Sequence, residues 1–297
     1  MRTTFRRHKR PLVPTLFLAG FLAASLGASP VATPPAAEGP QAELAHKSSA
    51  VRVTDRRRPD GKGSIMTCEV TDCLDATITL TVTLTNMRSI EPLPKTFVAG
   101  NGMRHWELVP SDPNKHWQFE YKTAWRGGGM TARQDRNYVY QLPYPASEKR
   151  KVIQGNFGKH SHNEGSGDEY ATDWAMPVGS PVCAARPGIV VALRQYSDKH
   201  GVGPEFSKFG NYVIVRHEDG TDGQYLHLQK DGALVEIGQH VKTGHIIALS
   251  GHTGNSTTPH LHFAVFVNKD GRSKQSLPIR WKTSAGVVEG LTQGQWY

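Results

Sequence analysis

The segment Ala76–Thr85 reads Ala-Thr-Ile-Thr-Leu-Thr-Val-Thr-Leu-Thr, an unbroken alternation of apolar and hydroxyl side chains. Successive side chains on a strand point to opposite faces, so this spacing puts Ile78, Leu80, Val82 and Leu84 on one face and threonines on the other. It predicts a half-buried strand. Shorter runs at residues 97–99, 105–109, 116–124 and 137–142 are separated by prolines and by Gly127-Gly128-Gly129, which reads as a turn. Together they predict a β-sandwich of ~90–100 residues, with Trp106, Trp117, Tyr121 and Trp125 as core aromatics. Pro143, Pro145 and the charged run Glu148-Lys149-Arg150-Lys151 mark a boundary. Beyond it, β-branched runs at 188–193, 211–216, 224–228, 245–249 and 260–267 alternate with glycines, and Asp219-Gly220 signals a hairpin. No helical period longer than two turns competes with them. The fold class is therefore mainly β, an N-terminal β-sandwich-like domain followed by an antiparallel β domain.

The chain has 297 residues and a formal charge of +9, from 35 Lys and Arg against 26 Asp and Glu. Five of the cations, Arg2, Arg6, Arg7, Lys9 and Arg10, precede an apolar stretch at 12–28 that small residues follow. This is the pattern of a secretory signal peptide over residues 1–32, and no stable membrane anchor is expected once it is cleaved. Without those five cations the balance is 30 to 26, a mild attraction to an anionic envelope. Nucleic-acid binding is not expected, because no fold motif accompanies the charge. Residues 33–50, rich in Ala, Pro, Ser and Glu, read as a flexible linker. Export to an oxidising compartment makes a local disulfide between Cys68 and Cys73 an expectation, while Cys183, in Ser-Pro-Val-Cys-Ala-Ala, reads as a small buried thiol.

The fourteen histidines are sorted by spacing. In His260-Leu261-His262 the two imidazoles share one strand face, with Leu261 and Phe263 on the other. Tyr225-Leu226-His227-Leu228 puts His227 and Tyr225 on one face of another strand. Asp173 ends Tyr170-Ala171-Thr172-Asp173, and upstream lies the polar loop Lys159-His160-Ser161-His162. Two imidazoles and a carboxylate are a frequent protein ligand set for catalytic zinc, the fourth position being left to water. His217, His240, His245 and His252 read as structural or rim residues. The polar stretch 195–209 reads as a cleft wall.

These residues, with Pro177-Val178-Gly179-Ser180-Pro181-Val182, Gly210-Asn211-Tyr212-Val213-Ile214-Val215, Gly238-Gln239-His240-Val241 and Gly251-His252-Thr253-Gly254, resemble the M23 family, the zinc metallopeptidases of LytM and lysostaphin type. The resemblance runs over residues 155–267. It implies one Zn²⁺ per chain, with Asp173 and His262 as ligands and His227 and His260 as catalytic imidazoles. In the commonest family pattern the first ligand is a histidine four residues before the aspartate, where this chain has Glu169. A variant carries it in a Ser-His loop further upstream, which puts His162 first, His160 second and Glu169 third.

The resemblance implies hydrolysis of amide bonds in peptidoglycan peptides, in the periplasm or outside the cell. The alternative is a metal-free LytM-like binding module that activates other cell-wall hydrolases. The expected organisation is an accessory domain over 51–147, a peptidase domain over 148–285 and a C-terminal tail over 286–297.

Overall fold

The computed structural model describes residues 3–6 and 50–297. The signal-peptide and linker expectations lie outside the described residues, save for Thr3–Arg6 and Ala50.

The first half is two four-stranded antiparallel sheets packed face to face. One contains Thr3–Arg6, Gln118–Gly127, Ala76–Thr85 and Thr96–Ala99; the other Val51–Arg57, Ser64–Val70, Gly102–Pro110 and Met87–Ser89. Met66, Ile78, Leu80, Trp106, Leu108 and Tyr121 fill the space between them. Each fully buried side chain of this size contributes roughly 1.5–3 kcal/mol from the water it sheds. The Ala76–Thr85 strand has the bounds its alternation predicts, yet Thr77 and Thr79 are buried while Thr81, Thr83 and Thr85 face water. The second half of the chain covers the start of this hydroxyl face. Thr79 Oγ1 accepts from the Gly271 amide at 2.9 Å, and Thr77 Oγ1 accepts from Asn268 Nδ2 at 3.2 Å.

That second half is built on one large, mostly antiparallel sheet. Its main path runs Val152–Gln154, Thr172–Ala175, His260–Asn268, Asp222–Ala233, Asn211–Arg216, Gly188–Arg194 and His240–Val241. One face packs Trp174, Val213, Val215, Tyr225, Leu261 and Phe263 against Tyr140, Tyr144 and Trp281. The last residues return to this body: Leu291 is buried, and Arg150 and Tyr297 exchange backbone hydrogen bonds. Opposite that core, the sheet carries polar residues at one end and meets the first half at the other, where Val191, Ala192, Ile214 and Phe266 join the sandwich core.

Two expectations are corrected here. Gly127-Gly128-Gly129 is not a free turn but the seam between the halves. A Cβ on Gly128, whose φ is +98°, would lie 2.5 Å from Asp222 Oδ2, and one on Gly127 would lie 2.9 Å from Ala192 Cβ. The glycines let Asp222 accept from the Gly129 amide at 2.9 Å while it holds Arg216, which also pairs with Asp75 at 2.7 Å. Cys68 and Cys73 are free thiols. Cys68 is packed in the sandwich core, and Cys73 Sγ is turned to the Asp75 carbonyl at 2.9 Å, so each sulfur has its own fixed environment. Burial pushes their pKa values up to about 11 and about 12. Cys183 is buried, as its neighbours predict.

Candidate metal centre

Asp173 and His262 are directly paired across two antiparallel strands, and His260 pairs with Ala175 two residues along, on the same face. Side chains opposite one another across a strand pair sit ~4.5–5.5 Å apart at Cβ, so pairing alone brings carboxylate and imidazole into reach. His262 Nδ1 lies 2.9 Å from Asp173 Oδ1. As the alternation predicts, Leu261 and Phe263 fall in the core beneath.

His162 arrives from the loop between Val152–Gln154 and Thr172–Ala175. Its ring is fully buried, and its Nδ1 is 3.1 Å from the Gly155 carbonyl, which fixes that nitrogen as the donor and leaves Nε2 free. Nε2 lies 3.3 Å from His262 Nδ1 and 3.4 Å from Asp173 Oδ2. Zinc bonds of ~2.0–2.2 Å in a tetrahedron require ligand-to-ligand edges of roughly 3.3–3.6 Å. The two imidazole nitrogens, 3.3 Å apart, match such an edge, Asp173 lies 2.9 Å from that of His262 through Oδ1 and 3.4 Å from that of His162 through Oδ2, and all three residues are buried. The donor set therefore fits a tetrahedral zinc with one position left for water.

The competing first ligands point elsewhere. His160 is exposed, and its backbone amide is held by Gln154 Oε1 at 3.0 Å. Glu169 turns back into its own loop, where Oε2 accepts from the Gly165 amide at 2.6 Å. His217, His240, His245 and His252 also stand outside the cluster. His217 is buried against Thr221 and Tyr140, His240 and His245 are exposed, and His252 contacts Ser256 and the ring of His200.

His227 reaches the site by a route that alternation does not predict. Leu226 opposes Tyr212 and Leu228 opposes Asn211, leaving His227 as the extra residue of a bulge with φ +67°. The bulge places Leu226 and His227 on the outer side while Tyr225 and Leu228 both face the core, so His227 and Tyr225 do not share a face. Tyr225 instead accepts from the Ala185 amide at 2.7 Å. Thr253 holds the bulge from both ends: its carbonyl accepts from His227 Nδ1 at 2.7 Å, and its hydroxyl donates to the Leu228 carbonyl at 2.7 Å. His260 is fixed likewise, with Nδ1 2.7 Å from the Thr258 carbonyl. The two rings are 4.5 Å apart, each with Nε2 turned from its backbone anchor, and His260 Nε2 is 4.0 Å from Asp173 Oδ2. Burial, together with the His260 and His262 charges, lowers the His227 pKa to about 3, so this imidazole is neutral at pH 7. Burial lowers that of His260 too, against the pull of Asp173.

Three further residues, which no motif marks, hold these groups. Gln154 Nε2 donates to Asp173 Oδ2 at 3.0 Å, while its Oε1 accepts from the His160 and Ser161 amides at 3.0 and 3.3 Å. One side chain thus orients the carboxylate and the loop that carries His162. Asp168 Oδ1 lies 3.2 Å from His262 Nε2 and 2.6 Å from Lys274 Nζ, and Lys274 is almost wholly buried. With Nε2–H donated to Asp168, Nδ1 is the ring nitrogen of His262 left to face Asp173 and His162. Burial opposes the charge on His262, but Asp173 and Asp168 outweigh it and hold the pKa up at about 9, so a cation bound at Nδ1 displaces a proton. Asp173 itself, despite burial, is held well below the usual carboxylate range by His262 and His162.

The sequence model of Peptidase family M23 matches residues 167–274, about a third of the chain. Peptidoglycan DD-endopeptidase ShyA of Vibrio cholerae is 37% identical over 127 residues, which are 42% of this chain and 26% of that protein. Lysostaphin of Staphylococcus simulans is 36% identical over 131 residues, 44% of this chain and 24% of that one. The matches thus span about a quarter of these relatives' length. Among solved structures, the catalytic domain of the same lysostaphin is 32% identical, with a TM-score of 0.29, over 47% of this chain and 86% of that one.

Proposed function

We propose that the chain is an exported zinc metalloendopeptidase that hydrolyses amide bonds in the peptide part of peptidoglycan. His162, Asp173 and His262 would hold one Zn²⁺, and His227 and His260 would be the catalytic imidazoles. The observation that carries this reading is the buried set of two imidazoles and a carboxylate at tetrahedral spacing, with two further imidazoles turned toward it. When bound, zinc supplies a Lewis acid and lowers the pKa of water toward ~7. The remaining chemistry belongs to the chain. The backbone carbonyls of Thr253 and Thr258 fix the Nδ1 protons of His227 and His260, leaving Nε2 of each to exchange protons with the substrate. A neutral Nε2 takes the proton of the attacking water; a protonated one stabilises the developing oxyanion and returns a proton to the leaving amine. No covalent enzyme intermediate is required, and Cys183, buried among apolar neighbours, is not a nucleophile.

Within this reading, residues 1–32 are the export signal, 51–147 an accessory domain, 148–285 the peptidase and 286–297 its tail. A metal-free activating module gains no support from a site whose three donors converge. The test is digestion of purified peptidoglycan by the chain lacking residues 1–32, with mass spectrometry of the soluble fragments. Amide-cleaved peptides should appear, and should vanish on chelation and in His260→Ala. Intact peptidoglycan after treatment with zinc-loaded protein would overturn the reading.

A further inference from the structure

A cleft of about 320 Å³ opens where the two halves meet. Its floor is the outer face of the large sheet, where Leu226 opposes His262, Gln224 opposes Ala264 and Ile214 lies opposite Gln224. The floor thus starts beside the metal-site imidazole and runs on to Phe266, four residues along the same strand. At ~3.3 Å per residue that is about 13 Å, the length of a four-residue extended peptide. One wall is the Pro204–Phe209 turn, which contributes Ser207 and Lys208; the other is the end of the first half's Gln118–Gly127 strand, with Trp125 and Arg126.

The charges in this cleft are unequal in their commitments. Lys274 is neutralised by Asp168, and Arg194 donates to the backbone carbonyls of Lys208 and Gly210. Arg126 and Lys208 face no carboxylate within ion-pair distance among the described residues. Arg126 Nε and Trp125 Nε1 are both buried hydrogen-bond donors without an acceptor. Buried polar groups of native proteins are nearly always satisfied, and an orphan guanidinium donor on the cleft wall calls for an acceptor that the chain does not supply. Trp125, paired with Ile78 while Arg126 is paired with Thr77, turns to the opposite, core-facing side of the strand. A carboxylate has the right charge and two oxygens to accept from the guanidinium fork.

We propose that this cleft binds a free carboxylate of the peptide substrate, with Arg126 as its anchor and the uncommitted Lys208 on the facing wall. The inference rests on the peptidase reading and adds a specificity device to it: the accessory half supplies part of the substrate site, about four residues from the bond that is cut. Leu226, the partly exposed apolar residue of the floor, packs against the intervening part of the peptide.

The test uses a cross-linked peptide dimer prepared twice, with its terminal carboxylate free and with that group amidated. Hydrolysis and fluorescence-anisotropy binding are measured for the chain lacking residues 1–32 and for its Arg126→Gln, Arg126→Lys and Lys208→Gln variants. The unaltered chain should prefer the carboxylate form by 10- to 100-fold in kcat/KM, chiefly through KM. Arg126→Gln should erase that preference by losing only the carboxylate form, and Arg126→Lys should keep part of it. Lys208→Gln, outside the seam packing, should weaken it even if Arg126→Gln proves unstable. Equal cleavage of both forms by the unaltered chain would overturn the cleft assignment and leave the peptidase reading standing. Binding of the carboxylate form that Arg126→Gln loses, without hydrolysis by any protein, would instead overturn the peptidase reading and sustain the cleft. Neither binding nor hydrolysis would overturn both.

Discussion

Replacing Asp168 by Asn separates two tasks that this carboxylate performs at once. Oδ1 accepts from His262 Nε2 at 3.2 Å and pairs with Lys274 Nζ at 2.6 Å. The first contact orients a ligand ring and raises its basicity; loss of such a partner weakens zinc affinity by ~10- to 100-fold, or roughly 1.4–2.7 kcal/mol. The second compensates a lysine whose side chain is only 5% exposed. Leaving that ammonium with only neutral acceptors, Gln224 Oε1 and the new amide oxygen, strands a buried charge and costs about 3–5 kcal/mol in folding stability. The Asp168→Asn variant should therefore lose both, by chelator competition and by urea unfolding of the zinc-free form. Adding Lys274→Met removes the stranded charge, so the double variant should recover most of the stability and none of the zinc affinity. Zinc binding by Asp168→Asn within twofold of the unaltered protein, or recovery of affinity in the double variant, would refute a direct role for this carboxylate in holding His262.

Three other outcomes are expected. His162→Ala should lose stoichiometric zinc by elemental analysis, while His160→Ala and Glu169→Gln keep it, because only His162 Nε2 lies among the donors; loss in His160→Ala alone would reverse the assignment. Gly128→Ala should lower the urea-unfolding free energy by about 3–5 kcal/mol, since a φ of +98° strains any other residue and the Cβ displaces Asp222 from the Gly129 amide; a change below ~1 kcal/mol would mean that the seam yields. His217, whose pKa burial and the Arg186 charge lower to about 3, stays neutral in the fold while the unfolded chain protonates it near pH 6.5. Stability should accordingly fall from pH 6.5 toward 3, by ~1.4 kcal/mol per pH unit from this residue, and His217→Gln should flatten that slope in urea melts, whatever constant loss the altered packing adds at every pH.

What the sequence settled by itself was local. A period of two fixed the Ala76–Thr85 strand to the residue and put His260 and His262 together over Leu261 and Phe263, because side-chain direction on a strand is a property of each residue's own backbone. The residue types also pointed to the chemistry proposed here, since two imidazoles and a carboxylate are a frequent donor set for catalytic zinc. Only the tertiary structure could decide what depends on a partner far along the chain. His227 turns into the site because a bulge, clamped by Thr253, breaks the alternation that would have sent it to the core with Tyr225. The three glycines at 127–129 form a seam because Asp222 and Ala192 press against their backbone. Gln154 and Asp168 carry no motif, and become important through hydrogen bonds to Asp173 and His262 across loops and strands. Cys68 and Cys73, near neighbours in sequence, are free thiols in the same core, where Cys73 Sγ is turned to the Asp75 carbonyl. In the first three of these cases the deciding energy is a contact between distant residues, and one-dimensional spacing cannot encode it.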